Sequence, residues 1–364
     1  MASYDRSRAG GSPRPPRTGD TWWYAAVAAE APGSFSTRVR TRTRRACLGA
    51  VLVLTVVYAG LVLTATGRRW GDAALTGRHT DAVVTTLLRE HPSLSGFTTL
   101  SLVIGCLLLP AVGLIRRRYA LTGLAAGAVV TALAITALLQ RYAPRPRLLD
   151  PGGALVPSGF PSAQTTLALG IALGLALVVP QRQRGLVVGA ATLWAVAVGA
   201  YTLADGRHRP GDVIAGALVV LAVHCGLHSL LARKGQVRPG PRRGAALSGL
   251  PATLPLLLVA AGGLGAGLWL LGATLAVPDA ALAAPDAASY DAAGFRLAHR
   301  CGQALAAGVV ATAGLLLLAL LRSVELERPP VPYRLGGPFV EAAGAPADAE
   351  LVGPFTEDLD HEIS

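Results

Sequence analysis

Eight stretches of about 17 to 25 mostly apolar residues set the terms on which this chain folds. A helix of that length crosses the hydrocarbon of a bilayer while satisfying its backbone polar groups internally. The stretches run approximately from Ala46 to Thr66, Phe97 to Ile115, Ala120 to Gln140 and Gln164 to Pro180, then from Gly185 to Ala204, Gly211 to Leu231, Leu254 to Ala276 and Gln303 to Leu321. With 52% hydrophobic and 15% charged residues among 364, the composition lies outside that of ordinary soluble domains. The expected fold class is an all-α polytopic membrane protein of eight spans.

The net charge of +12 is distributed as a membrane protein distributes it, which removes nucleic acid as the implied partner. Arg38, Arg40, Arg42, Arg44 and Arg45 precede the first span, and Arg116, Arg117 and Arg118 follow the second. Arg182 and Arg184 follow the fourth; Arg233, Lys234, Arg238, Arg242 and Arg243 follow the sixth. By the positive-inside rule both termini are cytoplasmic, and the connections after spans one, three, five and seven are outside. The first apolar run lacks a small-residue cleavage site and is expected to remain as an anchor. Cys47, Cys106, Cys225 and Cys301 lie in or beside spans without paired spacing, which points to small apolar residues rather than a disulfide framework or a zinc site.

Residues 1–45 are rich in Arg, Pro, Ser and Gly, with Trp22, Trp23 and Tyr24 as interface residues, and 323–364 is rich in Pro, Ala and acid. Both tails are expected to be disordered. Residues 233–253 read as a basic cytoplasmic linker. Between Gly67 and Gly96, apolar Ala74, Leu75, Val83, Val84, Leu87 and Leu88 alternate with charge, as in an amphipathic surface helix roofing an outer site. The loop between spans seven and eight carries Asp279, Asp286 and Asp291 without a chemical pattern, and these two spans read as an accessory hairpin.

The outer loops joining spans three to six hold Arg141, Arg145, Arg147, Arg207 and Arg209, against the tendency to keep arginine inside. Guanidinium groups grip phosphate bidentately, so an anionic ligand is one reading. A chain whose default cation is arginine, snorkelling toward headgroups, is the other. Within these loops, Gly206-Arg207-His208-Arg209-Pro210-Gly211-Asp212 has Pro210 where a helix opens and Asp212 within the same turn, able to approach the His208 imidazole.

Three pieces fall in order on one side: Arg145-Pro146, Phe160-Pro161-Ser162-Ala163-Gln164-Thr165, and Tyr201 to Gly216. The arrangement resembles the type 2 phosphatidic acid phosphatase superfamily, in its membrane lipid-phosphatase branch. Its motifs are Lys-x6-Arg-Pro, Pro-Ser-Gly-His and Ser-Arg-x5-His-x3-Asp. Gly206, His208, Pro210, Asp212, Val213 and Gly216 match the third closely. The second keeps Pro161 and Ser162 but has Ala163 and Gln164 for Gly-His; an alternative register, Pro157-Ser158-Gly159-Phe160, keeps the glycine. Leu138 stands at the lysine position, and Tyr201-Thr202 at Ser-Arg.

The resemblance implies a six-helix core over residues 46–232 with a two-helix extension over 254–322. It implies hydrolysis of a lipid phosphate or diphosphate at the outer face without a metal or other cofactor. His208 would be the nucleophile that becomes phosphohistidine, with Asp212 orienting it. Arg145, Ser162, Gln164, Arg141, Arg207 and Arg209 would bind phosphate. The lost positions leave a lipid-phosphate-binding pseudophosphatase as the alternative, and a transporter or assembly partner as a third. His224 and His228, four apart near the inner end of span six, lack a third ligand and read as packing residues. His79, His91 and His299 have no assigned role.

Overall fold

The computed structural model describes residues 34–144, 159–240, 245–275 and 292–326. Chain order is α1 (Ser34–Val62), α2 (Ala65–Gly77), α3 (Ala82–Glu90), α4 (Leu94–Ile115), α5 (Tyr119–Tyr142), α6 (Ala163–Val178), α7 (Gln181–Ala204) and α8 (Pro210–Arg233). Strand β1 (Val237–Pro239), α9 (Ala245–Leu275), α10 (Ala292–Leu320) and β2 (Val324–Leu326) follow. Among the described residues seven helices are long and apolar enough to cross a bilayer, so the protein is an all-α multi-pass membrane protein.

The remaining apolar run, α6, has 16 residues, about 24 Å at 1.5 Å per residue, against roughly 30 Å of hydrocarbon. It does not need to meet lipid. From Thr165 to Val178 every residue but Leu167 is buried, and α4, α5, α7, α8 and α10 pack against it. A helix apolar on all sides is stable when protein surrounds it.

The last two spans, read as an accessory hairpin, belong to the same body. α10 packs against α2, α6, α7 and α8, and α9 against α7 and α10. Val310, Ala313 and Leu317 of α10 share one core cluster with Leu169, Leu173, Val188 and Leu221. Sequence could not show this, because a lipid-facing and a protein-facing side are equally apolar.

Two boundaries differ from expectation. The N-terminal tail becomes helical at Ser34, not after residue 45, with Val39 and Thr43 buried and the Thr43 hydroxyl donating to the Val39 carbonyl at 2.8 Å. The C-terminal tail first forms β2, which pairs antiparallel with β1 through Val237↔Leu326 and Arg238↔Glu325. Buried Arg184 fastens this pairing, its Nη1 donating to Val324 O at 2.8 Å. The expected tails at 1–33 and 327–364, and the acidic loop at 276–291, lie outside the described residues.

The expected amphipathic helix is two helices with different fates. Ala74 and Leu75 of α2 are buried beside α10, with Trp70, Ala73, Ala298 and Cys301 forming a cluster of their own. α3 buries none of its residues, and Val83 and Leu87 are exposed, as suits a helix lying in the interface. Asp81 makes the break: its Oδ1 accepts the Val83 N–H at 3.0 Å as an N-cap, and its Oδ2 accepts Arg300 Nε at 2.7 Å. That guanidinium holds the Asp81 carboxyl below the usual carboxylate range.

Candidate functional site

Pro210 opens α8 because its fixed φ suits a first turn and its missing N–H would have been an orphan there. Asp212, two residues on, accepts the Arg209 N–H on Oδ2 at 2.9 Å, while its own N–H donates to Arg209 O at 3.0 Å. This local cap fixes the carboxylate, which is 3% exposed. His208 Nδ1 lies 3.5 Å from the same Oδ2, an ion-pair distance slightly longer than a good hydrogen bond.

The second motif meets the third through backbone. Ser162 N–H donates to Asp212 O at 2.8 Å, and Gly216 approaches so closely that a Cβ there would lie 2.9 Å from Ser162 O. Ser162 is the α6 N-cap; it is fully buried and accepts from Thr165 N at 3.4 Å and Thr165 Oγ1 at 3.2 Å. Its hydroxyl is thus engaged in holding the helix start. Gln164 is half-buried in the first turn of α6, its Oε1 enclosed without a hydrogen-bond partner among the described residues.

Gly159, from the alternative register, lies against the imidazole: a Cβ would sit 3.1 Å from His208 Cε1 and 3.4 Å from Nδ1. Gly159→Ala is therefore expected to shift the ring by a few tenths of an ångström. Turnover should fall about tenfold or more with an unchanged melting temperature, since small displacements of reacting groups are costly. Wild-type turnover in that variant would show that the contact does not position the ring.

The first motif is represented by the end of α5. Gln140 Nε2 donates to Pro161 O at 2.7 Å, drawing that end toward α6. Arg141 is exposed beside it, while Arg145 and Pro146 lie outside the described residues. Leu138, at the motif's lysine position, is 56% exposed and lies on an outward face. Thr202 is buried and donates to Gly199 O at 2.8 Å. Neither supplies charge.

Charge arrives from α2, which lies outside the three motifs. Arg78, the α2 C-cap, donates through Nη1 to Asp205 O at 2.6 Å and lies over Gly206, where φ is 75° and any Cβ would overlap the guanidinium. Glycine is required there twice, for conformation and for space. Asp72 binds Arg209, with Oδ1 2.6 Å from Nε. Arg207 pairs instead with Asp205 and is half exposed. From α1, the Tyr58 hydroxyl donates to Pro144 O at 2.6 Å, and its ring tilts against Phe160 with centroids 5.6 Å apart. Arg68, Trp70, Asp72, Phe160, Arg209 and Asp212 line a cleft of about 40 Å³.

Other candidates stand apart from these loops. His224 and His228 are fully buried on α8, their Nδ1 atoms 3.0 Å from Val220 O and 2.7 Å from His224 O. Among the described residues no cluster of His, Cys, Asp or Glu is large enough to hold a metal ion. His79 pairs with Arg78 and His299 with Ala74 O; His91 is the C-cap of α3. The cysteines are free thiols.

Residues 97–236 match the family model of the PAP2 superfamily. This region is similar to the PAP2 superfamily. Members of the superfamily are generally phosphatases, so the match supports phosphatase-type activity on phosphate esters. Comparison with curated proteins and with solved structures finds no match. The PAP2 segment contains His208, Asp212, Ser162, Gln164 and Arg209, but not Tyr58, Trp70, Asp72 or Arg78. The site is therefore completed by helices beyond the family segment.

Proposed function

We propose that the protein hydrolyses a lipid phosphate or diphosphate at the end of the bundle where the motif loops meet, the outer face by the basic connections at the opposite end. The observation that carries this reading is His208 Nδ1 lying 3.5 Å from a buried carboxylate, with Gly159 closing the same edge of the ring. Nδ1 makes no hydrogen bond among the described residues; a small rotation of the ring brings Nδ1–H onto Asp212 when substrate binds, which leaves the Nε2 lone pair as nucleophile.

Nε2 attacks phosphorus, the bond to the leaving oxygen breaks, and the resulting phosphohistidine is balanced by the Asp212 charge. Water then attacks phosphorus, releasing phosphate and returning the electron pair to Nε2. The helix starts of α6 and α8 direct their N-terminal dipoles toward the anion. Arg209, with Arg141, Arg207 and Arg145 in the neighbouring loops, supplies positive charge to the phosphoryl oxygens.

Gln164 sets the preferred leaving group. An alkoxide needs a proton as it departs, and a positioned general acid contributes about 10²- to 10⁴-fold. An amide cannot supply that proton, though it can donate a hydrogen bond to a phosphoryl oxygen. A departing phosphate needs little protonation, so a polyprenyl diphosphate should be hydrolysed faster than phosphatidate. Phosphate release from both substrates by purified protein tests this, and faster release from phosphatidate would overturn it. Buried, uncharged Thr202 favours a second reading, a lipid-phosphate-binding pseudophosphatase. Binding of both lipids without turnover would select it.

A further inference from the structure

Arg209 and Asp72 form an ion pair that is only 19% and 17% exposed. Charges so enclosed persist because each is the counter-ion of the other. They share the cleft with Arg68, Asp212 and the first turn of α8 at Gly211. Among the described residues the lining thus holds two guanidinium groups and two carboxylates. Asp72 Oδ1, 2.6 Å from Arg209 Nε, occupies a position on the guanidinium that an anion would take.

A second observation points to an absent acceptor. Trp70, also in the cleft lining, is 5% exposed, and its Nε1–H is buried without a hydrogen-bond partner among the described residues. Buried indole donors ordinarily find one. A phosphate group offers more acceptor oxygens than a carboxylate, enough to take Arg209 bidentately and a further donor besides. Asp72 stands where such an anion would bind Arg209, on a helix that meets α8 through few contacts besides this one.

We propose that the cleft beside Asp212 is a phosphate-binding subsite formed by Arg209, Arg68 and Trp70, with Asp72 as a built-in occupant that an incoming phosphate displaces. On the phosphohistidine reading above, on which this use rests, the subsite holds the second phosphate of a lipid diphosphate while His208 receives the first. Free phosphate and a diphosphate share the recognising chemistry. Once Asp72 leaves Arg209, the guanidinium edge that it occupied is open to an anion, which makes the exchange selective for anions.

Titration calorimetry on the full chain in detergent, with inorganic phosphate, pyrophosphate and a short isoprenyl diphosphate, tests the exchange. Asp72→Asn is expected to bind pyrophosphate about tenfold more tightly, because no ion pair must be broken first. Arg209→Gln is expected to bind it at least about tenfold more weakly. The sign is decisive: if Asp72 only positions Arg209, Asp72→Asn weakens binding, and unchanged or weaker binding overturns the proposal. Tighter binding of the two diphosphates than of phosphate identifies the lipid as the source; equal binding identifies free phosphate, and either supports the subsite.

His208→Ala should retain pyrophosphate binding whether or not the intact protein turns over, which separates this site from the fate of the phosphohistidine. Should Asp72→Asn fail to fold, tryptophan fluorescence decides. Pyrophosphate should shift the emission of the native protein but not that of Trp70→Phe, and an unshifted native spectrum overturns the proposal.

Discussion

Replacing His208 with alanine is expected to lower phosphate release from a lipid diphosphate by about 10³- to 10⁶-fold, the range over which loss of a covalent nucleophile acts. The side chain is 13% exposed and close to Gly159 and Asp212, with few apolar contacts to lose. The melting temperature should therefore stay near that of the native chain. Radiolabelled substrate should leave an acid-labile, base-stable label on the native protein and none on His208→Ala. Unchanged release in the mutant would eliminate the His208 mechanism outright, because among the described residues no other histidine shares its carboxylate: His224 and His228 lie about four and five turns along α8, and their Nδ1 atoms face backbone carbonyls.

Asp212→Asn should cost about 10²- to 10⁴-fold in kcat with little change in binding. The amide oxygen can still accept the Arg209 N–H that Oδ2 accepts at 2.9 Å, so the start of α8 survives. The negative charge does not. His208 Nδ1, at 3.5 Å, would face either an amide oxygen of weaker accepting power or an N–H that favours the wrong tautomer, and the phosphohistidine cation would lose its counter-charge. A single-turnover measurement should show slower phosphoenzyme formation rather than slower product release. A mutant with native kcat would remove Asp212 from the chemistry and leave it as a helix cap.

Sequence made the third motif legible because its parts lie within one turn and one loop. A histidine, a helix-opening proline and an aspartate four residues from the histidine specify their own geometry. Ser162 was legible as a helix start for the same reason, though its hydroxyl is buried in the cap rather than open to an anion. Arg207 and Arg209 were legible as cations, but their partners were not: Asp205 is local, whereas Asp72 lies 137 residues away. The amphipathic pattern spanning Ala74 to Leu88 was real, yet it covers one helix buried under α10 and another left exposed, because α10 covers only the first.

By itself the sequence determined that the chain crosses a membrane many times, which end of each span carries its arginines, and which histidine has a carboxylate on its own helix turn. These follow from hydrophobic length, charge placement and residue spacing, all of which act locally. Only the tertiary structure decided that α6 is sheathed by protein, that the last two helices share the core, and that α2 brings Asp72, Trp70 and Arg78 to the motif loops. In an apolar bundle any face can pack against lipid or protein at similar cost. Neighbours are therefore chosen by close-fitting glycines such as Gly216 and by a few long-range polar ties, including Arg209 to Asp72 and Gln140 to Pro161, which no run of adjacent residues encodes.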